Sequence, residues 1–167
     1  IKDFEGKSRV ILWKNESGII EWKVTVPQTG YYRLGIEYSP LHDRENDIEV
    51  AVLVNGSVQY AQAEGILLPR VWKDDGKVRK DALGNELSPV QVQASKWLIE
   101  WVKDVDGLSL APLTFLLEKG ENVIGIELMS GMIGLSRIIL GPVTQAAPYL
   151  EVSKNYDSSQ NYDGDPI

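Results

Sequence analysis

The stretch from Ile20 to Tyr38 limits what this chain can fold into more than any other. Ile20, Trp22, Val24 and Val26 alternate with Glu21, Lys23 and Thr25. After Pro27-Gln28-Thr29-Gly30, Tyr32, Leu34, Ile36 and Tyr38 alternate with Arg33, Gly35 and Glu37. A repeat of two sends one set of side chains to a core and the other to water, as a half-buried strand requires. Pro27 has no N–H for a ladder and Gly30 tolerates positive φ, so the segment reads as two strands around a tight turn.

The same pattern recurs downstream. Ile48, Val50, Val52 and Val54 alternate and run into Asn55-Gly56, the dipeptide that suits a type I′ hairpin turn, with Val58 and Tyr60 on the return strand. Leu113, Phe115 and Leu117, the turn Glu118-Lys119-Gly120-Glu121-Asn122, then Ile124, Ile126 and Leu128 read as a second hairpin, and Leu135 to Leu140 as a closing strand. Residues 95–102 fit two patterns equally: Trp97 and Trp101 stand at i, i+4, while Trp97, Ile99 and Trp101 alternate. Either way both rings share one face, a structural placement. The sum is an all-β chain forming one antiparallel β-sandwich or jelly roll over residues 1–142. Its expected inward set is Ile20, Trp22, Val24, Tyr32, Leu34, Ile36, Val50, Val52, Phe115, Ile124 and Ile126. Slipping any strand by one residue would expose its whole apolar face.

Two segments leave this pattern. Residues 69–95 form a long charged excursion containing Trp72-Lys73-Asp74-Asp75-Gly76-Lys77-Val78-Arg79-Lys80-Asp81 and Gly84-Asn85-Glu86-Leu87-Ser88-Pro89. Loops of this length in compact domains are functional or disordered. Residues 143–167 turn polar and read as a linker or tail leading to another domain. The chain opens on Ile1 with no charged-then-apolar leader, the start expected of a mature or excised fragment.

Composition removes several function classes. A net charge of −7 argues against the phosphate backbone of nucleic acid as partner. The absence of cysteine rules out disulfides, thiolate catalysis and thiolate zinc sites. No window approaches the roughly 20 consecutive apolar residues of a membrane helix. No phosphate loop, nucleophile elbow or zinc signature is present, so no enzyme reading has positive support. His42, beside Asp43, Arg44 and Glu45, reads as part of a solvated loop, and Asp104-Val105-Asp106-Gly107 as a solvated turn. Trp22 reads as core, and Trp13 as either a core cap or a groove residue. Trp72 fits two roles: a platform for the apolar C–H face of a sugar, or a plug that anchors the excursion to the sandwich edge.

Gly18 to Pro27, Gly30-Tyr31-Tyr32, Val54-Asn55-Gly56 and Leu117 to Ile124 together resemble carbohydrate-binding modules of families 6 and 35. Over Gly18 to Leu140 the order of Asn46-Asp47-Ile48, Asn55-Gly56, Arg70-Val71-Trp72, Asp81 to Pro89, Gln91 and Trp97 is similar to jelly-roll domains of bacterial extracellular solute-binding lipoproteins of sugar ABC importers. The resemblance implies a galactose-binding-like fold and a non-catalytic module of a larger extracellular or cell-surface bacterial protein. Its partners would be an oligo- or polysaccharide and the neighbouring domains of the parent chain. It also places a ligand-facing aromatic near Tyr38. The expected carbohydrate-binding set is therefore Trp72 for stacking, with Tyr38, Arg44 as a donor fork and Asn85 as donor and acceptor to orient the hydroxyls; for Tyr38, which ends its strand's inward set, the burial habit of aromatic residues favours a place in the core over one against the ligand. The alternative is a structural or interaction domain of such a lipoprotein with no ligand of its own. Those modules open on a Glu-Ala-Glu strand that helps hold calcium and carry Asn or Asp on the last strand. Here Ile1-Lys2-Asp3-Phe4-Glu5 and Gly134-Leu135-Ser136-Arg137-Ile138 depart from both features. No metal or other cofactor is expected, because calcium needs several hard oxygens in one place.

Overall fold

The computed structural model describes residues 3–14, 18–42, 47–107 and 109–143. The expected tail lies almost wholly outside them. The strands are β1 (Asp3–Phe4), β2 (Lys7–Ser8), β3 (Ile11–Trp13), β4 (Ile19–Val26), β5 (Gly30–Pro40), β6 (Ile48–Val54), β7 (Ile66–Leu68) and β8 (Trp72–Asp75). They continue with β9 (Arg79–Lys80), β10 (Glu86–Leu87), β11 (Val90–Gln93), β12 (Leu98–Trp101), β13 (Thr114–Leu117), β14 (Gly120–Ser130) and β15 (Ile133–Pro142). One short 3-10 turn covers Ala61–Ala63. The architecture is an antiparallel β-sandwich. One sheet runs β12-β5-β15-β3, with β13 also on β5; the other runs β4-β14-β6-β7.

The alternation in the sequence maps onto this directly. Tyr32, Leu34, Ile36 and Tyr38 of β5 point inward and are at most 5% exposed. Across the gap, Val50, Val52 and Val54 of β6 and Ile124, Ile126 and Leu128 of β14 belong to the same buried cluster. Burying each such side chain contributes about 1.5–3 kcal/mol relative to leaving it in water. Ile20, Trp22 and Val24 lie on the edge strand β4 and are only partly buried, although they pack on that core.

Strand pairing departs from expectation in three places, each for the same reason. The Pro27–Gly30 turn joins β4 to β5, yet β4 pairs with β14 and β5 with β15, so the turn crosses from one sheet to the other. β13 and β14 likewise separate onto β5 and onto β4 and β6 rather than forming a hairpin. Asn55 and Gly56 do adopt positive φ (51° and 80°), and Val54 bridges Ser57. The chain then leaves the ladder, and β6 takes β14 and β7 as neighbours instead of a return strand. A tight turn fixes a reversal of direction; which strand lies alongside is decided by the two-layer core. Residues 98–101 settle the helix–strand tie as β12, paired with β5.

The charged excursion is ordered. β8 pairs with β11, and farther out β9 pairs with β10, giving a two-tier ribbon whose strands belong to neither main sheet. At its tip, Asp81 Oδ1 accepts from the N–H groups of Leu83 and Asn85, both at 2.8 Å. This ribbon is called the arm below.

Candidate functional site

At one rim of the sandwich a cavity of about 360 Å³ opens beside the root of the arm. Its walls come from five separate stretches of chain: Phe4 and Glu5, Leu12 and Lys14, Pro40 to His42, Ser95, and Met132. A volume of this order suits a small ligand, and an apolar lining with a few polar groups is the usual composition of a binding pocket.

Local sequence explains each wall. Glu5 and Gly6 take positive φ (47° and 76°), which turns β1 back onto β2. The resulting hairpin is pinned to the five-stranded sheet by Trp97. Its indole N–H donates to the Glu5 carbonyl at 3.1 Å, its ring meets Phe4 edge-to-face at 6.2 Å, and the Lys7 ammonium lies 4.7 Å from its centroid. Phe4 in turn occupies the space over Gly134, where a Cβ would come within 3.3 Å of the phenyl ring. Lys7 also pairs with Glu37, a carboxylate almost fully buried on β5, and Arg137 Nε approaches the same carboxylate at 3.1 Å. Burial pushes the Glu37 carboxyl up. The hydrogen bonds from Lys7 and Ser136 and the charges of Lys7 and Arg137 outweigh it and hold the group below its ordinary value.

The far wall follows from Gly131. Its φ is +82°, and a Cβ there would meet Ile48 Cγ1 at 3.0 Å and Ile48 Cα at 3.1 Å. Glycine therefore allows the β14–β15 turn to fold tightly over β6, and Met132 emerges beside Leu41, whose N–H donates to the Met132 carbonyl at 3.0 Å. His42 Nε2 and Ser95 Oγ are hydrogen bonded at 2.9 Å along the polar side.

The arm is tied to the Pro40–Leu41 part of the wall. Gln93 donates from Nε2 to the Pro40 carbonyl at 3.0 Å and accepts from Arg70 Nη1, which also donates to the Leu41 carbonyl at 3.2 Å. Trp72 stands directly opposite Gln93 in the β8–β11 ladder, so its ring projects from the same face as Gln93, and it is 42% exposed. Asp74 and Gln91 continue that face and are hydrogen bonded to each other.

The residues expected from sequence fare differently. Trp72 stands half-exposed at the arm's root. Of the two readings of Tyr38 the structure shows the core one and not a surface facing ligand: its exposure is 0%, and its hydroxyl donates to the Pro69 carbonyl at 2.7 Å, so it supports the arm from beneath. Burial first, with the nearby Glu100 charge, pushes that phenol far above its ordinary pKa and keeps it a donor. Asn85 sits at the opposite end of the arm from Trp72, its amide bound to Asp81 Oδ2 at 2.9 Å. The structure does not bring these two together. Arg44 lies outside the described residues. Phe4, Leu12, Lys14, His42, Ser95 and Met132 were not marked as site residues by sequence, since no local pattern joins positions so far apart. The Glu5-Gly6 pair, suited to a tight turn, was the one available signal that Phe4 begins a hairpin.

Among the described residues, no group of three or more His, Cys, Asp or Glu side chains could hold a metal ion, and no helix is long and apolar enough to cross a membrane. No protein-family model matches the chain, and no curated protein does. Solved structures similar to it include the Podospora anserina GH26-CBM35 β-(1,4)-mannanase, at 16% identity and a TM-score of 0.45. That match covers 81% of this chain and 21% of the mannanase, so the chain spans about a fifth of that protein. A family 35 carbohydrate-binding module from Clostridium thermocellum is similar at 14% identity and a TM-score of 0.46, over 80% of this chain and 88% of the module.

Proposed function

We infer that this domain is a non-catalytic carbohydrate-binding module whose ligand sits at the rim where the arm leaves the sandwich. One observation carries the reading: Trp72 is half-exposed on the root of the arm, and Gln93 opposite it is tied to the segment that walls the cavity. A pyranose offers an apolar C–H face and a rim of hydroxyls, so it needs a flat aromatic surface next to fixed polar groups. Trp72 supplies the surface. Lys14, His42 and Ser95 supply donors and acceptors on the cavity side, and Phe4 gives the cavity an aromatic wall; Arg44, outside the described residues, stays a donor-fork candidate on its sequence alone. Asn85, fixed at the tip, would touch only a chain long enough to run along the arm. The host we propose is a larger extracellular or cell-surface bacterial protein, such as a sugar importer's solute-binding lipoprotein.

The test is a glycan array followed by affinity electrophoresis on the polysaccharides that score, for the wild-type domain and for Phe4→Ala. Retention of at least one glycan by the wild type, weakened in the variant, supports the site. A domain that retains none leaves the interaction-domain reading as the better one; that reading is favoured by the exposure of Val78, Leu83, Leu87 and Val90 along the arm.

A further inference from the structure

The hairpin β1–β2 belongs to neither main sheet. Its two short strands pair only with each other, and it lies against the outer face of the five-stranded sheet. Such a ribbon is marginal in water, so side-chain contacts are what hold it down. They come from two residues of the body. Trp97 takes the Glu5 carbonyl, the Phe4 ring and the Lys7 ammonium, and Glu37 pairs with Lys7. Where the hairpin runs into β3, Arg9 holds φ at 61° although it is not glycine, and Val10 beyond it is buried. L-residues disfavour that conformation, so the chain is strained at the joint about which the hairpin could swing.

The surface beneath the hairpin is polar. Residues directly opposite in an antiparallel pair project to the same face. Ser39, opposite Gly134, therefore points out beside the space that Phe4 occupies, and Glu37 lies two residues earlier on that face. Glu37 and Ser39 are 6% and 1% exposed, and the Ser39 hydroxyl has no hydrogen-bond partner among the described residues. A covered, unpaired hydroxyl has lost its hydration without compensation, so this interface favours lifting more than an apolar one would. Phe4 and Glu5, at the turn of the hairpin, also wall the cavity. Lifting the hairpin opens the cavity on that side.

We propose that the β1–β2 hairpin is a gate, swinging about Arg9 to admit ligand to the cavity and latched shut by Trp97 and the Lys7–Glu37 pair. Trp97 and Lys7 are positioning residues, since neither lines the cavity. The gate's role for a glycan rests on the reading above; its movement does not.

The chain has no cysteine, so Ser39→Cys places a single thiol under the closed gate. Its reaction with a chromogenic aromatic disulfide is followed in the ligand-free domain against urea concentration. The rate is expected to be flat at low urea, because local opening exposes little surface, whereas global unfolding accelerates steeply with urea. Adding Trp97→Phe, which keeps a ring but removes the N–H donor, should raise the flat rate about fivefold, the effect of one hydrogen bond. Adding Lys7→Met should raise it about tenfold or more, as for a bond to a charged group. On a glycan that the array shows to be retained, saturating ligand should slow labelling about tenfold or more, since a ligand held by Phe4 and Glu5 binds the closed state better. Labelling that tracks global unfolding at every urea concentration overturns the proposal, as do variants that label no faster. Labelling that saturating glycan leaves unchanged overturns the gate's role in ligand exchange. If no glycan is retained, the binding reading is what fails, and the ligand-free rates still decide whether the hairpin moves.

Discussion

The hydroxyl of Tyr38, at the inner end of a fully buried ring on β5, donates to the carbonyl of Pro69 at 2.7 Å, immediately before the chain rises into the arm. The core thus holds the arm's root from below, while Arg70 and Gln93 tie it to Pro40 and Leu41 from the side. Position 38 was a candidate for touching ligand; its role is to fix the element that presents Trp72.

Tyr38→Phe should therefore cost about 1 kcal/mol, the net worth of one hydrogen bond, with the Pro69 carbonyl left short of a partner. Urea titration gives the loss. Amide exchange should rise first at Val71 to Gln93, the segment the bond secures. An unchanged midpoint with unchanged exchange would show that the bond anchors nothing.

Glu37 makes the fold acid-sensitive. Its folded pKa lies below the unfolded one, so its contribution is fully present above the unfolded carboxylate range and is lost as pH falls through the folded value. The window is therefore below the ordinary value of 4.5. Glu37→Gln should cost about 1–3 kcal/mol at neutral pH, where hydrogen bonds to a charged group are broken. It should also flatten the fall in stability on acidification. Parallel curves for wild type and variant in that window would contradict the assignment.

Gly131→Ala combines a left-handed backbone with contact against Ile48. It should lose about 1–3 kcal/mol in a denaturant titration. Because Met132 follows directly, the variant should also bind a retained glycan less well. Stability equal to wild type would mean that the turn has room the geometry denies.

How far the sequence was legible divides along one physical line. Period-two alternation identified Tyr32, Leu34, Ile36, Val50, Val52, Ile124 and Ile126 as inward, because burial of a strand face is written within a few consecutive residues. Pairing was not legible. Pro27–Gly30 and the Glu118–Asn122 turn have the chemistry of hairpins, and the same chemistry serves a chain stepping between layers. The excursion's departure from alternation set residues 69–95 apart as a long loop, and the structure forms β8 to β11 there. Its ladder could not be read, since Trp72 opposite Gln93 spans twenty-one positions and most of its strand residues are exposed, so no apolar alternation marks them. The cavity was the least legible part, because Phe4, Leu12, Leu41, Ser95 and Met132 meet only once both sheets have formed.

Metal should not be needed. Thermal melts of the domain in calcium and in chelator should coincide, since a cation that bound only the folded state would raise the midpoint by mass action. A large calcium-dependent rise would contradict this and place a cation in the structure.

The most direct measurement is a calorimetric titration of wild type, Trp72→Ala and Val90→Ala with the glycan best retained by affinity electrophoresis. Anchoring aromatics commonly contribute about 2 kcal/mol or more, so Trp72→Ala should weaken binding about thirtyfold. Val90→Ala, on the opposite face of the same ribbon, should leave it unchanged. Trp72→Ala binding as tightly as wild type, with its melt intact, would contradict the account.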